Sequence, residues 1–130
     1  MSGYAISKVL DCGYEEAIER VKAALSSEGF GVLTEIDVKA VLKKKLDKDF
    51  AKYIILGACN PNLAYRALTS ETEIGLFLPC NVIVYENDRG ETVVSAVDAT
   101  VAMSMIDNPV LAAVAKEVKE KLEKVINSIA

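Results

Sequence analysis

The chain carries three cysteines and no histidine, which leaves cysteine as the only soft, nucleophilic side chain for chemistry near neutral pH. Two of the three sit in matched surroundings. Cys59-Asn60-Pro61 closes an apolar run, and Pro79-Cys80-Asn81 interrupts another. The stretch Gly57-Ala58-Cys59-Asn60-Pro61 reads as a strand-to-helix corner, with Cys59 or Asn60 at the cap and Pro61 as the first helical residue. A helix N-terminus favours thiolate over thiol, the usual route to a reactive cysteine or a soft-metal ligand. The plainer reading makes Cys59 a small buried hydrophobe filling a tight corner.

Cys80 stands at a proline, which cannot donate to a strand ladder and therefore marks a bulge, an edge or a break between two strand segments. Asn81 suits either irregular backbone or a ligand. If the strand ending at Leu56 neighbours the one through Cys80, the two pairs converge at one end of a sheet. The candidate ligand-binding set is therefore Cys59, Asn60, Pro61, Pro79, Cys80 and Asn81.

Two thiolates with the thioethers of Met103 and Met105 are the makings of a soft-metal site of the Cu(I) type. The methionines are equally core or interface filler. Tetrahedral zinc lacks donors, because Cys12 falls in a loop and histidine is absent. That absence also removes Ser/His/Asp and Cys/His triads, and no Gly-rich phosphate loop is present. Glu35 and Asp37 share one strand parity and read as a solvated face rather than a catalytic pair. Tyr53, Tyr65 and Tyr85 lie near the cysteine motifs and serve packing or a pocket wall. No catalytic residue and no cofactor is assigned.

The elements that must hold these residues are readable from periodicity. A first strand covers residues 3–10, and a helix follows from Tyr14 to Ser27 with Ala17, Ile18, Val21, Ala24 and Leu25 on one stripe, ended by Gly29. A strand over Gly31–Val38 leads to a short basic helix ending near Leu46. Tyr53-Ile54-Ile55-Leu56 is a buried strand ended by Gly57, and the helix from Pro61 carries Leu63, Ala64, Ala67 and Leu68. Ile74 to Tyr85 is nearly continuous in apolar residues and reads as strand on either side of Pro79. Asn87-Asp88-Arg89-Gly90 is a hairpin turn, with Thr92–Asp98 as the returning strand. Asn108-Pro109 starts a long helix in which Leu111, Val114, Val118, Leu122, Val125 and Ile129 recur every three or four residues. The pattern is α+β: one domain over residues 1–130, a single largely antiparallel sheet, helices mainly on one face.

Composition bounds the partners. At 130 residues with 52% hydrophobic side chains, the chain has a core and apolar surface to spare, so a homodimer is expected. Net charge is −4, and the one basic run, Lys43-Lys44-Lys45, is flanked by Asp47 and Asp49, which argues against nucleic acid. Neither a signal peptide nor a membrane span is read from the sequence. Three cysteines without repeated spacing point to a reducing cytoplasm.

The run from Tyr53 to Pro61, then Ala64, Ala67 and Leu68, then Ile74-Gly75-Leu76-Phe77-Leu78-Pro79-Cys80-Asn81-Val82-Ile83-Val84-Tyr85-Glu86, resembles the domain-of-unknown-function family three hundred and two. The likeness extends upstream through Glu35-Ile36-Asp37-Val38-Lys39 and Leu42–Phe50 and so covers nearly the whole chain. It implies a fold similar to the TATA-binding-protein arrangement, a helix between the first two strands, a closing C-terminal helix and a homodimer, but no established reaction. Family members usually carry proline after the aspartate that follows the last strand. Here Asp98 is followed by Ala99, which bears on the geometry around Met103. Sharing a fold with a DNA-binding factor is no argument for DNA binding. Two functional readings follow: a non-enzymatic small-molecule or partner-binding module with its site at the two Cys-Asn motifs, or a thiol-dependent redox or soft-metal protein using Cys59 and Cys80.

Overall fold

A computed structural model describes residues 3–129. Its centre is a five-stranded antiparallel sheet. In chain order the strands are β1 (Ala5–Leu10), β2 (Gly31–Asp37), β3 (Tyr53–Cys59), β4 (Cys80–Glu86) and β5 (Thr92–Val97), and in space they run β1-β5-β4-β3-β2. The helices are α1 (Tyr14–Ser27), α2 (Val38–Leu46), α3 (Pro61–Ser70), the short α4 (Ala99–Ala102) and α5 (Pro109–Ser128).

Side-chain alternation in the strands decides where the core lies. Ile54, Leu56 and Ala58 of β3 pair with Val84, Val82 and Cys80 of β4, and Val84 and Val82 pair in turn with Val94 and Ala96 of β5. All of these are buried. Against them pack α1, through Ala17, Val21 and Leu25, and α5, through the stripe expected from its periodicity. Helix α3 lies beside α5, where Arg66 pairs with Glu117. Lys8 of β1 donates to the carbonyl of Ile129 just past the end of α5, a cation at the negative end of the helix dipole.

The other face of the sheet carries two registered rows. Ile36, Ile55, Ile83, Ser95 and Ser7 run across all five strands, and Tyr53, Tyr85, Val93 and Val9 run across four. The Tyr53 and Tyr85 rings stack at 5.5 Å.

Several expected boundaries move, each for a local reason. Val38 starts α2 rather than ending β2, because the Asp37 side chain accepts the Ala40 N–H at 2.9 Å and caps the helix. Gly57 does not end β3. The strand runs on to Cys59, and Gly57 lies within it because its outward side is occupied: a β-carbon there would lie 2.8 Å from Pro79 Cγ and collide with Thr34 Oγ1. The apolar run from Ile74 is not strand on both sides of Pro79. Thr72–Phe77 forms a 3-10 turn with Ile74 fully buried, and β4 begins at Cys80, directly after a cis Leu78-Pro79 bond. Strand β5 ends at Val97, since Asp98 caps α4, a turn that hydrophobic periodicity is too short to reveal.

The turn between β4 and β5 forms as expected. The Asn87 carboxamide oxygen accepts the N–H groups of Arg89 and Glu91, and Gly90 takes φ +75°.

Candidate functional site

Ala58 pairs directly with Cys80 across β3 and β4. That adjacency brings both Cys-Asn motifs to one end of the sheet. There the chain leaves a cavity of about 280 Å³, walled by the strand ends, by α3 and by α5. Its floor is Ala58, Cys80 and Phe30. Leu63, Ala64 and Ala67 of α3 line one side, Val114 and Val118 of α5 another, and Leu78, Pro79 and Met103 close the end. Cys59 and Asn60 stand at the corner between strand and helix.

The lining is apolar for a topological reason. Residues of α3 that face α5 must be small or aliphatic to let the helices approach, and alanines at 64 and 67 leave space that larger side chains would fill. The bulge in β2 between Val32 and Thr34 adds to this space, with Leu33 on the cavity wall and 67% exposed. A second depression of about 300 Å³ lies on the far side of a partition formed by Leu78, Pro79, Cys80 and Met103, and reaches Asn81, Val97 and Ala99.

The six candidate residues divide by role. Cys59, Asn60, Pro79 and Cys80 line the first cavity. Pro79, Cys80 and Asn81 line the second. Pro61 is exposed at the first position of α3 and lines neither. Of the two residues considered for the cap, Asn60 holds it, not Cys59. Its Oδ1 accepts the Leu63 N–H at 3.4 Å, and its Nδ2 donates to the Glu28 carbonyl at 3.4 Å, where α1 ends. Asn60 therefore ties two helix termini together behind the cavity wall. Gly29, at φ +83°, keeps this approach open, since a β-carbon there would lie 3.1 Å from Asn60 Nδ2.

The thiols are unequal. Cys80 is buried, and desolvation first, with the nearby Cys59 second, pushes its pKa up to about 11. It is a protonated thiol at neutral pH. Cys59 is partly exposed. Because Ala58 shares the face of Cys80, strand alternation sends Cys59 to the opposite side of the ladder. All three cysteines are free thiols. Among the described residues no group of three or more His, Cys, Asp or Glu is arranged to hold a metal ion. Met103 is buried in the partition, whereas Met105 is 79% exposed and lines neither cavity.

Met103 is held in place as the residue that closes the short turn α4, which Asp98 caps. Asp98 caps α4 through Thr100 N–H at 3.0 Å and Thr100 Oγ1 at 2.6 Å, and pairs with Lys119 of α5 at 3.2 Å. Burial alone would raise its pKa; the Thr100 hydroxyl and Lys119 outweigh burial and hold it below the usual carboxylate range. Glu35, one of the two acids on a shared parity, pairs with Lys22 of α1 at 2.8 Å, while Asp37 serves as the cap of α2. Neither reaches the cavity.

Sequence reasoning left Phe30, Leu78, Val114 and Val118 out of the candidate site, because a cavity-lining aliphatic residue has the same periodicity as a core residue. The small-residue stripe Ala64 and Ala67 was the available signal. Among the described residues no helix is long and apolar enough to cross a membrane.

Comparison with known proteins agrees with the architecture. A crystal structure titled as an uncharacterized conserved protein DUF302 from Bacillus stearothermophilus is similar with a TM-score of 0.90 and 31% identity, over 97% of this chain and 98% of that one. No curated protein matches the chain. The family profile described as domain of unknown function DUF302 matches residues 6–129. The chain belongs to this family of domains of unknown function, DUF302.

Proposed function

We propose that this protein is a non-enzymatic binding module that takes a small, uncharged, largely apolar molecule into the cavity between α3, α5 and the ends of β3 and β4. The observation that carries this reading is the convergence of both Cys-Asn motifs on one cavity of about 280 Å³, near the lower end of the ligand-pocket range, roughly 300 Å³. Its walls offer apolar contact, and Asn60 and the backbone of the strand-to-helix corner are the polar features at its mouth. Such a site selects by shape and hydrophobicity, with one or two weak polar contacts fixing orientation.

The thiol-dependent alternative has less support. A buried Cys80 with its pKa near 11 is a poor resolving thiol and a poor soft-metal ligand. Cys59, which leaves the ladder on the other side, is not the helix cap that would have activated it.

The test is a fluorescence titration with N-phenyl-1-naphthylamine, a neutral apolar probe, on the wild type and on Ala64→Phe. Ala64 is half-buried on the cavity wall, so the larger ring occupies the space with little cost to α3. Saturable binding by the wild type, weakened at least tenfold in Ala64→Phe, supports the reading. Equal binding by both proteins, or none by either, refutes it.

A further inference from the structure

We propose that the second depression continues the first cavity, and that the two together take a straight-chain amphiphile, its alkyl chain in the first and an uncharged hydroxyl head at Asn81 in the second. This assignment rests on the binding role given above to the first cavity. Asn81 belongs to the Pro79-Cys80-Asn81 motif but does not line that cavity. Asparagine is disfavoured in strands. Asn60, Asn87 and Asn108 each secure a helix cap or a turn through their carboxamides. Asn81 lies within β4, and among the described residues its carboxamide has no hydrogen-bond partner. It is exposed and lines the second depression.

Register accounts for that depression. The ladder between β4 and β5 ends at Val82 and Ala96. Beyond it β5 stays with β1 through Val97 and turns into α4 at Asp98, while β4 stays with β3 through Asn81 and Cys80. The two strands part, and Asn81, Val97, Ala99 and Ala102 line the depression where they do so.

The partition between the two spaces is Leu78, Pro79, Cys80 and Met103. Pro79 is packed over Gly57, and Cys80 is fixed in the ladder opposite Ala58. Met103 is the adaptable member, an unbranched thioether with three rotatable bonds at the end of a single-turn helix. A change of its rotamer joins spaces of about 280 Å³ and about 300 Å³. The first alone stands at the lower edge of the range for ligand pockets, ~300–1,000 Å³, and the two together lie well inside it.

The lining selects the ends of the ligand. Aliphatic walls in the first cavity suit an alkyl chain. In the second, Asn81 supplies the only side-chain nitrogen and oxygen among the described residues. Its carboxamide offers both acceptor and donors, which a hydroxyl answers in either direction. Among the described residues no charged side chain lines either space, so a carboxylate or an ammonium head would lie there without a counter-charge.

The experiment is displacement of bound N-phenyl-1-naphthylamine by the primary alcohols hexanol and dodecanol and by dodecanoate, on the wild type, Ala102→Phe and Asn81→Val. Ala102 and Asn81 line the second depression and not the first cavity. Hexanol is short enough for the first cavity alone. Ala102→Phe is expected to weaken dodecanol at least tenfold and Asn81→Val at least threefold, with the probe and hexanol unchanged. On the wild type, dodecanoate is expected to compete at least tenfold less well than dodecanol. Should Ala102→Phe lose its far-ultraviolet circular dichroism, Asn81→Val decides alone, since its site is exposed and valine suits a strand. A wild type that does not bind the probe refutes the cavity reading and this assignment with it. Probe binding accompanied by dodecanol affinity indifferent to the variants, or by dodecanoate competing as well as dodecanol, overturns the amphiphile assignment and leaves the cavity reading standing.

Discussion

The ring of Pro79 lies over Gly57, so close that a β-carbon on the glycine would sit 2.8 Å from Pro79 Cγ. Thr34 closes in from the neighbouring strand. One position in mid-strand is thus kept bare so that the segment before Cys80 can fold across it, and that crossing places Leu78, Pro79 and Cys80 as the end wall of the cavity.

Gly57→Ala is therefore expected to destabilise the fold by about 1–3 kcal/mol, the usual cost of overpacking. Urea unfolding measures it. Because the strain involves two neighbours, adding Thr34→Ala is expected to recover only part of the loss.

Asn60 makes two bonds through opposite ends of one carboxamide. Asn60→Ala is expected to cost about 0.5–2 kcal/mol from the lost cap. Asn60→Asp keeps the acceptor for Leu63 N–H but sets an oxygen against the Glu28 carbonyl, so it is expected to regain less than a good cap normally returns. Thermal unfolding of the three proteins checks the order wild type, Asp, Ala.

Much of this fold is legible in the sequence because its elements are amphipathic. The bounds of α1 follow from a stripe of buried residues and a glycine stop at Gly29, and α5 declares itself by seven buried positions on one face. The hairpin is legible because Asn87 and Gly90 have the turn chemistry it needs. What misleads is the stretch from Ile74 to Tyr85: alternation that looks continuous is half a 3-10 turn, whose Ile74 is buried for a reason set by α3 packing rather than by a sheet. At the site, the adjacency of the two motifs depends on the Ala58 to Cys80 pairing. No local pattern encodes that long-range register, and cavity walls and solid core use the same aliphatic residues.

Alkylation of the native protein is expected to separate the thiols. Cys80, with its pKa near 11, is expected to react more slowly than Cys12 and Cys59 at pH 8, and its rate to keep rising beyond pH 10. Mass spectrometry of labelled peptides reads this directly. Treatment with diamide is expected to leave no bond between Cys59 and Cys80, because they depart from opposite sides of the ladder.

Asp98 is an acid whose folded pKa lies below its ordinary value. A depressed pKa contributes stability above the unfolded value, about 4, and that contribution is lost as pH falls through the folded value. Asp98→Asn is expected to lower stability at pH 7 and to flatten part of the acid loss below pH 5. Asp98→Ala, which also removes the cap of α4, is expected to cost a further ~1 kcal/mol.

Tyr14 behaves in the opposite sense. Burial, then the charges of Asp37, Glu15 and Glu86, raise its pKa to about 12. Its contribution to stability is present below pH 10 and is lost as pH rises through the folded value. Ultraviolet titration is expected to show Tyr14 ionising last, and Tyr53, raised chiefly by burial, also after a free tyrosine.

The most direct test of the central claim is methyl-resolved nuclear magnetic resonance of the wild type during titration with N-phenyl-1-naphthylamine. Occupation of the cavity requires saturable shifts at Ala64, Met103, Val114 and Val118, with Ile36 and Ile83 on the other face of the sheet unmoved. Shifts confined to Ile36 and Ile83, or no saturable shift at any cavity methyl, would contradict the assignment of the cavity as a binding site.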